Sequence, residues 1–176
     1  MMIMRKFLLV LFAVSILYNT PLLSQHQSRG DEVPVLKEIS GMQEVKKVMP
    51  TASELVQVNE VWHKIVDKSK VTIGYCMSSK PYSDGIKGYH GTTPVIVILD
   101  KEKKIKKVAI LSHYETQSYI EMLKHQKFFA SWEGLTVREA MNIKATPDSY
   151  SGATITAVAI RRNLDILLRK AYEKRI

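Results

Sequence analysis

Residues 94–111 read Pro-Val-Ile-Val-Ile-Leu-Asp-Lys-Glu-Lys-Lys-Ile-Lys-Lys-Val-Ala-Ile-Leu, and this stretch decides the fold. Two short apolar runs, residues 94–99 and 105–111, flank the charged segment 100–104. Such runs, rich in β-branched residues on both sides of a polar turn, predict a β-hairpin with a long turn. The lysines of the turn predict a solvated tip, which also discourages pairing with other strands.

The segments around this hairpin predict the remaining elements. Residues 51–68 carry apolar side chains at helical spacing and predict a helix, while residues 71–77 predict a strand. Residues 119–129 predict a second helix, and residues 132–140 a shorter helical segment. A long amphipathic stretch begins near Ala153 and runs to the C-terminus. Together they predict an α+β fold, in which a small antiparallel sheet with a central hairpin packs against helices, the last being a C-terminal amphipathic helix.

Composition narrows the class of protein. The chain has 176 residues, of which 45% are hydrophobic and 24% charged, and this balance is typical of a folded domain. The net charge is +9, without the alternation of aromatic and basic residues expected of RNA-binding proteins. A basic surface of this kind favours anionic lipid or an acidic protein partner over nucleic acid. Cys76 is the one cysteine, so no intramolecular disulfide can form, and it is predicted to be a buried apolar residue.

The N-terminus predicts the compartment. Two basic residues precede the apolar run 7–18, which is shorter than the roughly 20 residues of a membrane span and typical of a secretory signal. Residues 1–24 are therefore predicted to be a signal peptide, or an uncleaved N-terminal anchor. Residues 25–45 are predicted to be a polar tether, and residues 46–176 the functional domain. This organisation predicts an extracytoplasmic location, in the periplasm or at the cell surface.

The usual motifs for metals and nucleotides are absent from the sequence. There is no C-x-x-C or H-E-x-x-H, and the five histidines are scattered, so no zinc site is predicted. There is no P-loop and no G-x-G-x-x-G, which argues against a nucleotide held by those motifs.

Residues 147–156 read Pro-Asp-Ser-Tyr-Ser-Gly-Ala-Thr-Ile-Thr and lie at the entrance of the last helix. A helix cap needs one hydroxyl, but this stretch holds four serine and threonine hydroxyls, on Ser149, Ser151, Thr154 and Thr156. Gly152 and Ala153 remove side-chain bulk directly before Thr154. The free N–H groups and the positive dipole end of a helix N-terminus favour a phosphate.

Three interpretations of this stretch follow from its residues. It is a helix start capped by Ser151 or Asp148, or it holds a phosphate non-covalently. In the third, it presents a threonine hydroxyl for modification, and the helix end stabilises the resulting phosphodiester.

Residues 148–156 resemble the D-x-x-S/T-G-A-T-x-T motif of the FMN-binding domain family. This family includes the flavin-carrying subunits of sodium-pumping quinone reductases and of ion-translocating ferredoxin oxidoreductases. In it, a separate, magnesium-using flavin transferase cuts FAD and attaches FMN by its phosphate to the last threonine of S/T-G-A-T. The resemblance implies that Thr154 carries covalent FMN. It also implies cofactor-binding roles for Asp148, Ser151, Gly152, Ala153 and Thr156.

A second block of residues extends the resemblance to about residues 71–176. Residues 88–91, Gly-Tyr-His-Gly, and residues 113–116, His-Tyr-Glu-Thr, flank the hairpin and are similar to segments of the family that lie beside the flavin. The additional cofactor-binding residues that this implies are Gly88, Tyr89, Gly91, His113, Glu115 and Thr116. Where the family continues with Pro-Gly, this chain has Gln117-Ser118, which removes a rigid turn and a permissive backbone position.

The resemblance implies an extracytoplasmic electron carrier rather than a free-standing enzyme. Its partners would be the flavin transferase and redox partner proteins, among them a membrane electron-transfer complex. Two alternatives stay open: a secreted binding module of the same fold without flavin, and a flavin-dependent reductase of a small extracellular acceptor. The lysines of residues 101–107 either steer an acidic redox partner or form a solvated turn.

Overall fold

The computed structural model describes residues 37–143 and 153–176. Its strands are β1 (Lys37–Glu38), β2 (Glu54–Gln57), β3 (Trp62–Val66), β4 (Thr72–Ser78), β5 (Val95–Leu99), β6 (Ile105–Ile110) and β7 (Ser112–His113). Its helices are α1 (Gly41–Val48), α2 (Gln117–His125), α3 (Val137–Ala140) and α4 (Thr154–Glu173), with short 3-10 turns at Lys80–Tyr82 and Phe129–Trp132. The predicted α+β class is confirmed.

Strands β2 to β6 form one antiparallel sheet in chain order, and β1 pairs with β7 in a separate two-stranded ladder. The predicted hairpin is β5–β6, in which Val95 lies opposite Ile110 and Val97 opposite Val108. Every residue of β5 is buried, because both faces of the sheet are covered. β6 is the last strand of the sheet and therefore has an outer edge.

The two faces of β5 belong to different cores. Val95, Val97 and Leu99 pack in a large core with α2, the Phe129–Trp132 turn and α4. Ile96 and Ile98 pack in a smaller core with Val45 of α1 on the opposite face. The alternation of side chains along one strand thus places α1 and α4 on opposite sides of the sheet.

The helix predicted over residues 51–68 is wrong, because this segment forms the β2–β3 hairpin, with Leu55 opposite Ile65. The side chain of Asn59 accepts hydrogen bonds from the backbone N–H groups of Val61 and Trp62, each at 2.9 Å, and so builds a turn in the middle of the segment. Pairing of β3 with β4 then decides between two conformations that the apolar spacing alone does not separate.

The other predicted boundaries differ less from those in the structure. Of the helix predicted over 119–129, residues 119–125 lie in α2, residues 126–128 form a turn and residue 129 begins the Phe129–Trp132 turn. The segment 132–140 is α-helical only in α3. Residues 37–45 of the predicted tether form β1 and the first part of α1. The predicted signal segment, residues 1–24, lies outside the described residues. Within residues 37–143 and 153–176, no helix is long and apolar enough to cross a membrane.

Helix α4 is fixed at its middle by a buried polar network around Asn163. The side-chain oxygen of Asn163 lies 2.8 Å from Ser83 Oγ and 3.2 Å from Ser79 Oγ. Its amide nitrogen donates to the carbonyl of Ala159 and to Thr93 Oγ1, at 3.1 and 3.4 Å. Because Asn163 is fully buried, these bonds specify the rotation of α4 against the sheet.

The C-terminal end of α4 is held by the β2–β3 hairpin. The indole N–H of buried Trp62 donates to the carbonyl of Ala171 at 3.2 Å, and the Asn59 amide donates to that of Lys174 at 3.0 Å. The hairpin that was predicted as a helix therefore supports the opposite end of α4 from the Ser-Gly-Ala-Thr motif.

We expect the Cys76 thiol to be unreactive in the folded protein. Cys76 is 3% exposed, and burial raises its pKa to about 12, from 9.0 for the free thiol. At pH 8 the thiolate is therefore roughly a thousandfold rarer than in an exposed cysteine. Maleimide labelling followed by mass spectrometry should show no adduct before unfolding in guanidinium and one adduct after it. Full labelling of the folded protein within minutes would show that this thiol is accessible.

Glu44 should make the free energy of unfolding depend on pH in the acidic range. It is 3% exposed; burial alone would raise its pKa, but hydrogen bonds from Lys107 and Lys47 outweigh that effect and hold the pKa below its ordinary value of 4.5. A lowered folded-state pKa stabilises the fold above the unfolded pKa, and this stabilisation is lost as the pH falls through the folded value.

Urea unfolding at a series of pH values tests this dependence. Between pH 7 and pH 3, Glu44→Gln should lose less unfolding free energy than the parent. Glu102→Gln makes the same chemical change at an exposed position of the β5–β6 turn, and it should follow the parent. Equal acid dependence of all three proteins would contradict the role of Glu44.

Candidate functional site

Three segments meet at one end of the β5–β6 hairpin. Residues 88–93 precede β5 and residues 112–116 follow β6, so antiparallel pairing brings them to the same end of the two strands. The first turn of α4 joins them there, because Thr156 contacts Glu115. The described end of the first motif, residues 153–156, is thereby brought next to the second block.

The Glu115 carboxylate connects these three segments. It accepts the backbone N–H of Tyr89 at 3.2 Å and that of His90 at 3.0 Å, and the hydroxyl of Thr156 donates to it. Glu115 is only 4% exposed. A buried carboxylate is expensive unless it is hydrogen-bonded, and three donors from two separate segments meet that requirement here.

Glycine is needed at position 88 because the backbone there lies very close to this carboxylate. A Cβ atom at position 88 would lie 2.5 Å from Oε1 of Glu115, which is closer than two atoms can approach without displacement. The Gly88 N–H also donates to the carbonyl of Gly91 at 2.6 Å and so closes the loop. A Cβ at Gly91 would meet only an ordinary contact, at 3.4 Å from the ring of Tyr114.

The two threonines in the described part of the motif differ in accessibility. Thr156 is 1% exposed, and its hydroxyl is engaged with Glu115. Thr154 is the first residue of α4 and is partly exposed. Ala153 precedes it as a buried N-cap residue whose methyl group cannot accept a hydrogen bond. The predicted roles of Asp148, Ser151 and Gly152 stay predictions, since these residues lie outside the described ones.

The first turn of α4 can attract an anion. The helix has 20 residues, and no acidic residue lies in its first turn. The Glu115 carboxylate already lies against this turn through Thr156, and the remaining N-terminal dipole field favours a negatively charged group beside Thr154.

Large apolar side chains are exposed on all three segments of the site. Tyr89 is 60% exposed, Tyr114 is 41% exposed and Ile155 is 57% exposed. The rings of Tyr89 and His90 pack edge to face, with centroids 4.5 Å apart. Aromatic side chains held in this way offer apolar faces on which a flat ring system can stack.

The other predicted residues lie next to this surface. His113 is 4% exposed in β7, opposite Lys37 of β1. Thr116 is the N-cap residue of α2, and its carbonyl accepts the N–H of Tyr119 at 3.0 Å. Gln117 is the first residue of that helix, a position where proline is also favoured. The Gln117-Ser118 departure from Pro-Gly is therefore compatible with a helix beginning at this point.

The lysine-rich turn lies at the far end of the hairpin from this site. Five residues of β5 separate the two ends, which corresponds to about 17 Å. The amine of Lys103 contacts the carbonyl of Ile176, beyond the C-terminal end of α4, whereas the site is at its N-terminal end. This distance exceeds the screening length of about 8 Å at physiological salt, so the turn lysines contribute little potential at the site.

Sequence reasoning missed two features of this region. Asn163 stands in the apolar stripe of α4 between Ile160 and Leu164, and this position was the available signal for a buried polar network. The partnership of Gly88 with Glu115 has no such signal, because the donors are backbone groups. Among residues 37–143 and 153–176, no three histidine, cysteine, aspartate or glutamate residues are placed to hold a metal ion.

The chain was compared with models of known protein families. Residues 88–168 match the model of the FMN-binding domain. The matched segment begins at Gly88, contains the β5–β6 hairpin and Glu115, and ends at Leu168, within α4. A comparison with curated proteins found no match.

We expect Glu115 and Thr156 to be energetically coupled. Glu115→Gln and Thr156→Val should each lower the unfolding free energy by about 1–3 kcal/mol, because each leaves a buried polar group without its partner. The double variant should lose less than the sum of the two, with a coupling of roughly 0.5–3 kcal/mol. Thr154→Val makes the same chemical change in the same turn of α4. It should lower the unfolding free energy less than Thr156→Val does, because Thr154 is partly exposed. Strict additivity in urea unfolding would refute the coupling.

Proposed function

We propose that this chain, whose residues 88–168 match the model of the FMN-binding domain, is an electron-transfer flavoprotein with FMN phosphoester-linked to Thr154. The single observation that carries this proposal is the contrast between two hydroxyls. Thr156 is buried and donates to Glu115, whereas Thr154 is partly exposed at the N-terminus of a 20-residue helix. Of these two threonines, Thr154 is the more exposed.

The described residues fit a flavin phosphate and a flavin ring. The first turn of α4 offers the positive end of its dipole to a phosphate on Thr154. The exposed side chains of Tyr89, Tyr114 and Ile155 offer apolar surface for the ring. When bound, FMN supplies the reversible uptake and release of electrons.

Within this proposal the protein residues position and enclose the cofactor. Glu115 fixes the 88–91 loop against α4, so the aromatic residues of the loop are held relative to Thr154. The Asn163 network holds α4 against the sheet. Glu115 serves as a positioning residue, because its carboxylate is engaged by three donors and is buried.

A carrier is favoured over a free-standing enzyme by the chemistry of the described site. Two of its polar side chains, Glu115 and Thr156, bind each other and are buried, so they hold the site together. Electron transfer needs no acid or base aimed at a substrate, and so it is compatible with this arrangement. We further propose that a separate transferase attaches the cofactor from FAD, and that residues 1–24 deliver the protein out of the cytoplasm to its redox partners.

Intact-mass measurement tests the attachment. The full chain is co-expressed with an extracytoplasmic flavin transferase, beside Thr154→Val and Thr154→Ser variants. We expect the parent to gain the mass of FMN less one water and Thr154→Val to gain nothing. Thr154→Ser keeps the hydroxyl and should retain some flavin, which separates loss of the attachment group from loss of the fold.

Two results would contradict the proposal. Flavin attached to Thr154→Val would place the linkage on another residue. A parent that folds and stays colourless beside an active transferase would favour the alternative of a binding module without flavin. Steady turnover of a small soluble acceptor by the flavinylated protein alone would favour the reductase alternative.

A further inference from the structure

Glu115 places a full negative charge beside the first turn of α4. Its carboxylate is 4% exposed and accepts the hydroxyl of Thr156 in that turn. Thr154 lies two residues before Thr156, which is about 3 Å along the helix axis. A group attached to Thr154 is therefore attached within one helical turn of the contact with this carboxylate.

The donors around Glu115 are dipoles, and they leave its charge in place. They are the hydroxyl of Thr156 and the backbone N–H groups of Tyr89 and His90. Within residues 37–143 and 153–176, no cationic side chain forms an ion pair with Glu115. Because the carboxylate is buried, water and salt screen its field less than that of an exposed charge.

This charge acts differently on the two parts of a flavin nucleotide. The dipole of α4 is equivalent to about half a charge, and its effect falls off within the first turn, so it acts on a phosphate at the helix end. The field of a whole charge reaches farther. Tyr89 offers ring-stacking surface and is bonded to Glu115 through its backbone, so this surface lies within the field of the carboxylate.

The loop before β5 also withholds its donors from a flavin. N–H groups that point at a developing negative charge stabilise it. The N–H groups of Tyr89 and His90 point at Glu115 instead, at 3.2 and 3.0 Å. That of Gly88 bonds to the carbonyl of Gly91 at 2.6 Å. Three consecutive N–H groups of the loop are thus engaged within the protein.

Two cations near the site offset the charge of Glu115 only partly. Lys87 precedes the loop and is exposed, so water and salt screen its charge. Arg161 lies two turns after Thr154 on α4, and its guanidinium is paired with the carboxylate of Asp165 at 2.8 Å. The buried carboxylate therefore dominates the field at the loop.

Resting on the function proposed above, we propose that Glu115 lowers the reduction potential of the flavin on Thr154, so that the protein carries electrons at low potential. On reduction the flavin ring takes up two electrons from the redox partner and one proton from water, and it gains one negative charge. The buried carboxylate opposes this gain, whereas the oxidised ring is neutral and is little affected. Glu115 thus positions the loop through its hydrogen bonds and sets the electron affinity of the flavin through its charge.

Redox titration of the flavinylated full chain with dithionite tests the role of the charge. Glu115→Gln should favour the reduced flavin about tenfold or more, which raises the two-electron potential by about 30 mV. Glu115→Asp keeps the charge on a shorter side chain, and Thr156→Val keeps the charge but removes a hydrogen bond. Both should stay closer to the parent than to Glu115→Gln. Glu102→Gln removes an exposed carboxylate at the far turn and should leave the potential unchanged.

Two results of this titration would overturn the proposal. A potential of Glu115→Gln at or below that of the parent would show that the charge does not disfavour the reduced flavin. Equal increases in Glu115→Gln, Glu115→Asp and Thr156→Val would show that hydrogen bonding, and not charge, sets the potential.

A label at residue 154 measures the same field without flavin. Thr154→Cys is labelled with a neutral coumarin maleimide, while Cys76 is buried and stays unmodified. Relative to neutral acrylamide, iodide should quench the label about twofold better after Glu115→Gln, because a negative charge no longer repels it. Glu102→Gln should leave this ratio unchanged. An unchanged ratio in Glu115→Gln would overturn the proposal, whereas a parent that takes up no flavin contradicts the proposed function.

Discussion

The candidate site depends on one buried carboxylate. Glu115 lies at the end of the strand pair and collects hydrogen bonds from the loop before β5 and from the first turn of α4. Because a buried negative charge must be satisfied, the three segments can form the site only together. The absence of a side chain at Gly88 is the geometric condition for this arrangement, since any Cβ there would occupy the space of the carboxylate oxygen.

The sheet supplies the frame in which this carboxylate acts. The buried strand β5 separates two cores and holds α1 and α4 on opposite faces. Helix α4 is then fixed along its length: Glu115 binds its first turn, Asn163 its middle, and Trp62 and Asn59 its last turns. Under the proposed function, an attachment residue at the start of such a helix would have a defined position, which a carrier needs if electrons are to reach a partner at a reproducible distance.

Local sequence patterns predicted the central hairpin and the last helix. The features that they did not predict depend mostly on contacts between residues far apart in the sequence. The β5–β6 hairpin and the C-terminal helix follow from apolar runs and spacing within each segment. Residues 51–68 have spacing that suits a helix, and only pairing with β4 makes them a hairpin. Glu115 and Thr156 were recognised as site residues through their motifs, but not as partners of each other. The main-chain donors of Tyr89 and His90 could not be predicted, because every residue except proline has an N–H group.

The contacts of Glu115 span 26, 25 and 41 residues of sequence. Contacts this distant must close long loops, so they are not part of the local structure that an unfolded chain can form. The surroundings of Thr154 therefore do not exist in a nascent or partly folded chain. If the proposed attachment requires them, the transferase reads a conformation as well as a short motif, and maturation follows folding. A covalent flavin on this protein would then be a chemical record that the domain had reached its native state.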